Sequence, residues 1–221
     1  MKLTRKNVIP QCIATGIIFQ MLLIALSAYG FSRIEYPTPA RFYAVTAVAM
    51  IVLIVGAFIV IRINDAKSYV RPTRFRIDLI VLGVLLLAAI GATTIYRCED
   101  NAQKALLLLV TLVMPLYEGV VYRGLMWHKL KKKLNDKMWA WLAMIGIVTV
   151  NQLFYTYNIY SIMVTAGDQL ADPGNIVLGI ICYGLVVNAI VGGVRVGVHN
   201  FTVPAVVHSI INLALMFLVV L

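Results

Sequence analysis

Residues 105–127 read ALLLLVTLVMPLYEGVVYRGLMW, an apolar run with Glu118 and Arg123 inside it. Its length suits a helix crossing the hydrocarbon core of a bilayer, roughly 30 Å thick and spanned by about 20 residues. Either charge near the middle of that core costs roughly 3 kcal/mol on insertion scales. A membrane helix keeps such residues when they face the bundle interior and find partners or a task there.

The rest of the chain shares this character. Its 221 residues are 62% hydrophobic and 13% charged, with mean hydropathy +0.91. Soluble domains are about 45–50% apolar and about 25% charged. Apolar runs mark expected spans at residues 8–31, 40–61, 77–96, 105–127, 138–164, 176–191 and 201–221. The expected fold is an all-α polytopic membrane protein, a bundle of about seven transmembrane helices. Residues 1–104 carry aliphatic spans without an ionisable residue at mid-membrane and read as a scaffold, whereas residues 105–221 form a core with polar groups at depth.

The net charge of +10 raises nucleic acid as a partner, but the placing of the cations argues against it. With the N-terminus in the cytoplasm, the inner side collects Lys2, Arg5, Lys6, Arg62, Lys67, Arg71, Arg74, Arg76, the lysines between 129 and 137, and Arg195. The outer side has Arg33, Arg41, Arg97 and Lys104, and its last loop carries Asp168 and Asp172. This positive-inside asymmetry predicts a multi-pass protein of the cell membrane with its N-terminus cytoplasmic and its C-terminus outside. The basic loops are expected to meet anionic lipid headgroups, HKLKKKLNDK at residues 128–137 as a solvated loop among them. The first apolar stretch is longer than a signal-peptide h-region of about 7–15 residues and reads as an uncleaved helix. Cys12, Cys98 and Cys182 have neither paired nor metal-type spacing.

From Glu118 onward, polar residues recur at depth: Arg123, Asn151, Gln152, Asn158, Asn188, His208 and Asn212. His208 and Asn212 are four apart and so share a helical face. Pro204 stands near the start of their helix, where its missing N–H does least harm. At about 1.5 Å per residue both lie about 10–17 Å from the inner end of their helix, and Glu118 about 15 Å from the inner end of its own. A carboxylate, an imidazole and an amide can therefore share one depth. Polar glue between helices would account for the imidazole and the amide, but it does not require a carboxylate. Glu118 and Arg123 themselves are five residues apart, about 140° around an α-helix. The position four before Arg123, which would answer it, is Gly119. Arg123 is thus expected to snorkel to the interface or to pair with another helix. Tyr117, Tyr122, Tyr155, Tyr157 and Tyr160 read as bundle packing, and Asn188 beside Gly192 and Gly193 as an aid to close helix approach.

The sequence Glu118-Gly119-Val120-Val121-Tyr122-Arg123-Gly124, then Phe154-Tyr155-Thr156-Tyr157-Asn158, then His208-Ser209-Ile210-Ile211-Asn212 resembles three motifs of one family. These are E-E-x-x-x-R, F-x-x-x-H and H-x-x-x-N of the CPBP or Abi intramembrane proteases, which are related to the type II CAAX prenyl endopeptidases and include bacteriocin self-immunity proteins. The resemblance covers roughly residues 106–221. It implies that Glu118 activates water as general base and that His208 and Asn212 stabilise the oxyanion. The candidate catalytic set is Glu118, Arg123, Asn158, His208 and Asn212. Two positions depart from the family: Gly119 stands for the second glutamate and Asn158 for the first histidine, and an amide accepts no proton. Counting from Met138 puts Asn151 and Gln152 at mid-membrane with Asn158 nearer the outer face, so either the helix starts later or those two amides meet Glu118. The motif alignment favours Asn158.

Three functions fit this pattern. The first is an endopeptidase acting on a membrane-embedded or C-terminally lipidated peptide. A pseudoprotease that binds such a peptide, in bacteriocin immunity for example, is the second. The third, a small transporter with Glu118 as a cation site, lacks a second acidic span and a repeat pair. A divalent metal is left open, although one His, one Glu and amides make a poor zinc set.

Overall fold

The computed structural model describes residues 7–36, 38–63, 100–165, 172–198 and 201–220, with isolated positions at 83 and 91. Apart from those two positions, the span expected at 77–96 lies outside the described residues, as does Asp168. Every regular element described is a helix: α1 (Val8–Ser32), α2 (Pro39–Ile63), α3 (Asn101–Leu134), α4 (Lys137–Gln152), α5 (Tyr155–Thr165), α6 (Pro173–Gly197) and α7 (Thr202–Val220). Among the described residues, five helices are long and apolar enough to cross a membrane, with α4 and the start of α5 counted together as Lys137–Ser161. The remaining one, α7, has 19 residues.

Local chemistry sets the ends. Asp100, Asp136 and Asp172 each cap a helix N-terminus, with Asp136 accepting from Met138 N at 2.7 Å and Asp172 from Gly174 N at 3.1 Å. Such caps satisfy amides that have no partner within the helix. α3 runs through the lysine cluster to Leu134, where the sequence suggested a loop. Its lysines sit at the negative end of the helix dipole, and Asn135, left-handed at φ 55, stops it. Asp136 starts α4 at once, so the turn needs two residues.

Two irregularities decide the site. In α3, Leu109–Val113 and Gly119–Met126 are wound as π-helix, with i→i+5 bonds. Between α4 and α5 the backbone tightens instead: Leu153, Phe154 and Thr156 donate to Val150, Asn151 and Leu153, all i−3.

α4 lies along α6, where missing side chains permit close approach. A Cβ on Gly184 would stand 2.6 Å from Gln152 Oε1, and one on Gly192 would stand 2.8 Å from Trp141 Cδ1. Trp141 Nε1 donates to Ala189 O at 3.1 Å across that contact. α1 packs against α2 and α4, and Gly16 admits the Asn151 amide. Outward-facing Ile18, Met21, Leu22, Val48, Ile51 and Val55 stay exposed, as lipid-facing positions should.

Candidate active site

An α-helix would hold Glu118 and Arg123 apart, but the π-wound stretch between them does not. A turn closed by i→i+5 bonds brings residues five apart onto one face. Arg123 Nη2 accordingly stands 3.5 Å from Glu118 Oε2. Arg123 is 2% exposed and does not snorkel. Winding also releases carbonyls. Trp127 N–H reaches Tyr122 O and Gly124 O, and Arg123 O accepts from Arg195 Nε of α6 at 2.9 Å. Met114 N–H likewise goes to Leu109 O. The π partner of Val110 O would be residue 115, a proline without an N–H. Val110 O is instead taken by Asn212 Nδ2 at 2.6 Å.

The tightened turn between α4 and α5 does the converse. Residues three apart eclipse where i→i+3 bonds close the helix, so Gln152 and Tyr155 both face Glu118. Gln152 Nε2 donates to Glu118 Oε1 at 2.8 Å, and Tyr155 OH to the same oxygen at 3.3 Å.

These contacts close a ring. Arg123 Nη2 donates to Asn188 Oδ1 at 3.0 Å, Asn188 Nδ2 to Gln152 Oε1 at 3.0 Å, and Gln152 back to Glu118. Because a guanidinium only donates, Asn188 must turn its oxygen to Arg123 and its nitrogen to Gln152. That choice in turn faces the Gln152 nitrogen to the carboxylate. The hydrogen-bond network thus assigns both amide orientations. Burying Glu118 and Arg123 is compensated by their mutual charge and by these bonds.

A second branch leads to His208. Arg123 Nη1 lies 3.3 Å from His208 Nδ1. Since arginine donates, Nδ1 accepts and the ring proton sits on Nε2, which donates to Tyr183 OH at 2.8 Å. Tyr183 OH then donates to Asn212 Oδ1 at 2.5 Å. The order Arg123, His208, Tyr183, Asn212, Val110 O is a single directed chain of donors.

Beside the network lies a cavity of about 430 Å³ between α3, α5, α6 and α7, walled by apolar groups such as Met114, Ile159, Ile180 and Leu215. Gln152, Tyr155, Tyr183 and Asn212 also line it. Two of these hold Glu118 and two continue from His208, so both branches end on one apolar chamber.

This arrangement brings together four of the five expected residues: Glu118, Arg123, His208 and Asn212. Asn158 is buried at 4% exposure, and neither of its amide atoms has a hydrogen-bond partner among the described residues. Gln152, weighed with Asn151 as an alternative, is the amide that meets Glu118, while Asn151 turns to Ile147 O and Gly16. A family model for the type II CAAX prenyl endopeptidase Rce1-like domain matches residues 100–214. The chain belongs to this Rce1-like family of CAAX endopeptidases. No curated protein and no solved structure matches the chain.

The Rce1-like match covers α3 to α6 and α7 as far as residue 214, the stretches that supply the ring and the donor chain. α1 contributes from outside it, through Gln20 Nε2 donating to Tyr122 OH at 2.6 Å. Sequence reasoning passed over Gln20 and Tyr183, and it read Tyr155 and Asn188 as packing. The available signal was depth: Asn188 and Tyr183 share α6 at five-residue spacing, level with the polar residues of α3 and α7. A zinc centre takes three protein ligands, and among the described residues no three His, Cys, Asp or Glu gather. Glu118 and His208 alone do not fit one.

Proposed function

We propose that this Rce1-like protein is an intramembrane endopeptidase in which Glu118 is the general base. The observation that carries this is the attachment of one buried carboxylate, through Gln152 and Tyr155, to the wall of an apolar chamber. A lipidated peptide would place its apolar portion in the chamber and its scissile carbonyl against the polar wall. A water admitted between Gln152 and Tyr155 would meet Glu118 Oε1, whose bond from Tyr155 is long at 3.3 Å. Catalytic hydrogen bonds are often slack before substrate arrives. The N-terminus is cytoplasmic in this reading, supported by the basic residues of the α3 end, against which α1 packs.

The test is cleavage of a farnesylated CAAX peptide by purified protein in nanodiscs. Parent protein should release the C-terminal tripeptide, and Glu118→Gln at matched folded amounts should lose at least a hundredfold in rate. Equal rates would refute the base assignment. The pseudoprotease reading is favoured by one observation, that partners already occupy both Glu118 oxygens; it predicts that parent protein binds the peptide without cutting it.

A further inference from the structure

Tyr183 is half-buried on α6 and lines the cavity. Its hydroxyl stands between His208 Nε2 and Asn212 Oδ1, the two side chains that the family resemblance assigns to the oxyanion. We propose that the Tyr183 hydroxyl is the catalytic donor to the scissile carbonyl, the cavity-facing end of the chain from Arg123 through His208. The proposal rests on the endopeptidase reading above.

Asn212 is badly placed for that role. It offers its oxygen to Tyr183, while its nitrogen is engaged by Val110 O. Turning the amide round would take the donor from a carbonyl that Pro115 leaves without a backbone partner. His208 carries its proton on Nε2, but the phenol oxygen already covers that atom. Tyr183 needs no heavy-atom movement: its hydroxyl hydrogen rotates from Asn212 Oδ1 to the substrate oxygen. The phenol oxygen goes on accepting from His208, and the Arg123 cation behind Nδ1 polarises the chain, which strengthens the last donor. Donors set beforehand where charge develops are a large source of rate in acyl transfer.

The step balances. Water adds to the carbonyl carbon as one of its protons passes to Glu118, and the π electrons of C=O move to oxygen, where Tyr183 donates. Collapse restores C=O and breaks the C–N bond. The amine leaves with the proton from Glu118, and the other product is a carboxylic acid.

Tyr183→Phe removes one oxygen atom and keeps the ring, and its folding is checked by thermal midpoint in nanodiscs. On the farnesylated CAAX peptide, kcat should fall by roughly a hundredfold or more while KM stays within about threefold. An unchanged kcat overturns the proposal, and a raised one overturns it too, showing the phenol to be a plug. A second readout does not depend on turnover: binding of a phosphinate analogue of that peptide, which presents a tetrahedral anionic centre. Tyr183→Phe should weaken the analogue at least tenfold and the peptide itself, measured on Glu118→Gln protein, less than threefold. Equal affinity of parent and variant for the analogue also overturns the assignment. A parent that leaves the peptide uncut refutes the endopeptidase reading separately, and the analogue still decides the role of Tyr183.

Discussion

Exchanging the two partners on the shortest side of the ring tests whether it acts as one energetic unit. In Glu118→Gln the new amide meets donors on both sides, Arg123 Nη2 at the Oε2 position and Gln152 Nε2 at Oε1. It can accept from one and must clash with the other, and Arg123, 2% exposed, loses its counter-ion. Removing one partner of a buried pair costs about 3–5 kcal/mol, a large part of the roughly 5–15 kcal/mol that holds a protein folded. Gln152→Glu alone places a second carboxylate where an amide 2.8 Å from Glu118 had been, and is also destabilising. The double exchange, Glu118→Gln with Gln152→Glu, removes both faults. The amide now at position 118 donates to the carboxylate now at position 152 and accepts from Arg123. Asn188 still donates to residue 152, and the net charge of the ring is unchanged. Denaturant titration in mixed micelles, followed by tryptophan fluorescence, gives the four stabilities of the cycle. The double variant should be more stable than the sum of its singles by about 2 kcal/mol, within the range found for residues in one network. Losses that simply add would refute the ring as a cooperative unit, and with it the amide orientations derived from Arg123.

The orphaned carbonyl offers an independent cycle. Asn212→Ala should cost about 1–3 kcal/mol for leaving Val110 O unpaired. Pro115→Ala restores a backbone N–H at the i+5 position, so the pair should lose less than the sum, and additive losses in the same titration would show that Asn212 does not serve Val110. At the position where the family has its second glutamate, a Cβ on Gly119 would lie 3.2 Å from both Ala205 Cβ and Phe201 Cδ2. Gly119→Ala should therefore change stability by no more than about 1 kcal/mol, helix propensity offsetting the contact, whereas Gly119→Glu buries a carboxylate against Phe201 and Ala205 and should sharply lower the amount of protein in the membrane. Normal accumulation of Gly119→Glu, measured by immunoblot, would contradict this packing.

The membrane-helical nature of the chain was legible because it depends on composition, and the lipid-facing surface bears it out residue by residue in α1 and α2. Depth was legible too, since the irregular stretches are short and most of each helix rises about 1.5 Å per residue; Glu118 lies beside His208, and Asn212 joins them through Tyr183. What sequence spacing misreports is direction. A count made at 3.6 residues per turn sets Glu118 about 140° from Arg123, while the motif alignment favours Asn158 where the depth count points to Asn151 and Gln152. At these two places the backbone departs from the α-helix in opposite senses, π-wound in α3 and tightened between α4 and α5. Of the first departure Pro115 was only a partial sign: a proline in mid-span must displace a hydrogen bond, but it marks the Leu109–Val113 winding and not the proline-free Gly119–Met126 that joins Glu118 to Arg123. A sign for the second is absent from Leu153 and Phe154 themselves. The two distortions have one result: the widened helix brings Glu118 onto the face of Arg123, and the tightened one eclipses Gln152 and Tyr155 on the opposite wall. A regular α-helix at either place would turn one pair away. The site is therefore encoded less in its motif residues than in the local failure of the helix that carries them, and the amide at 152 reaches the carboxylate beside the tightened turn between α4 and α5.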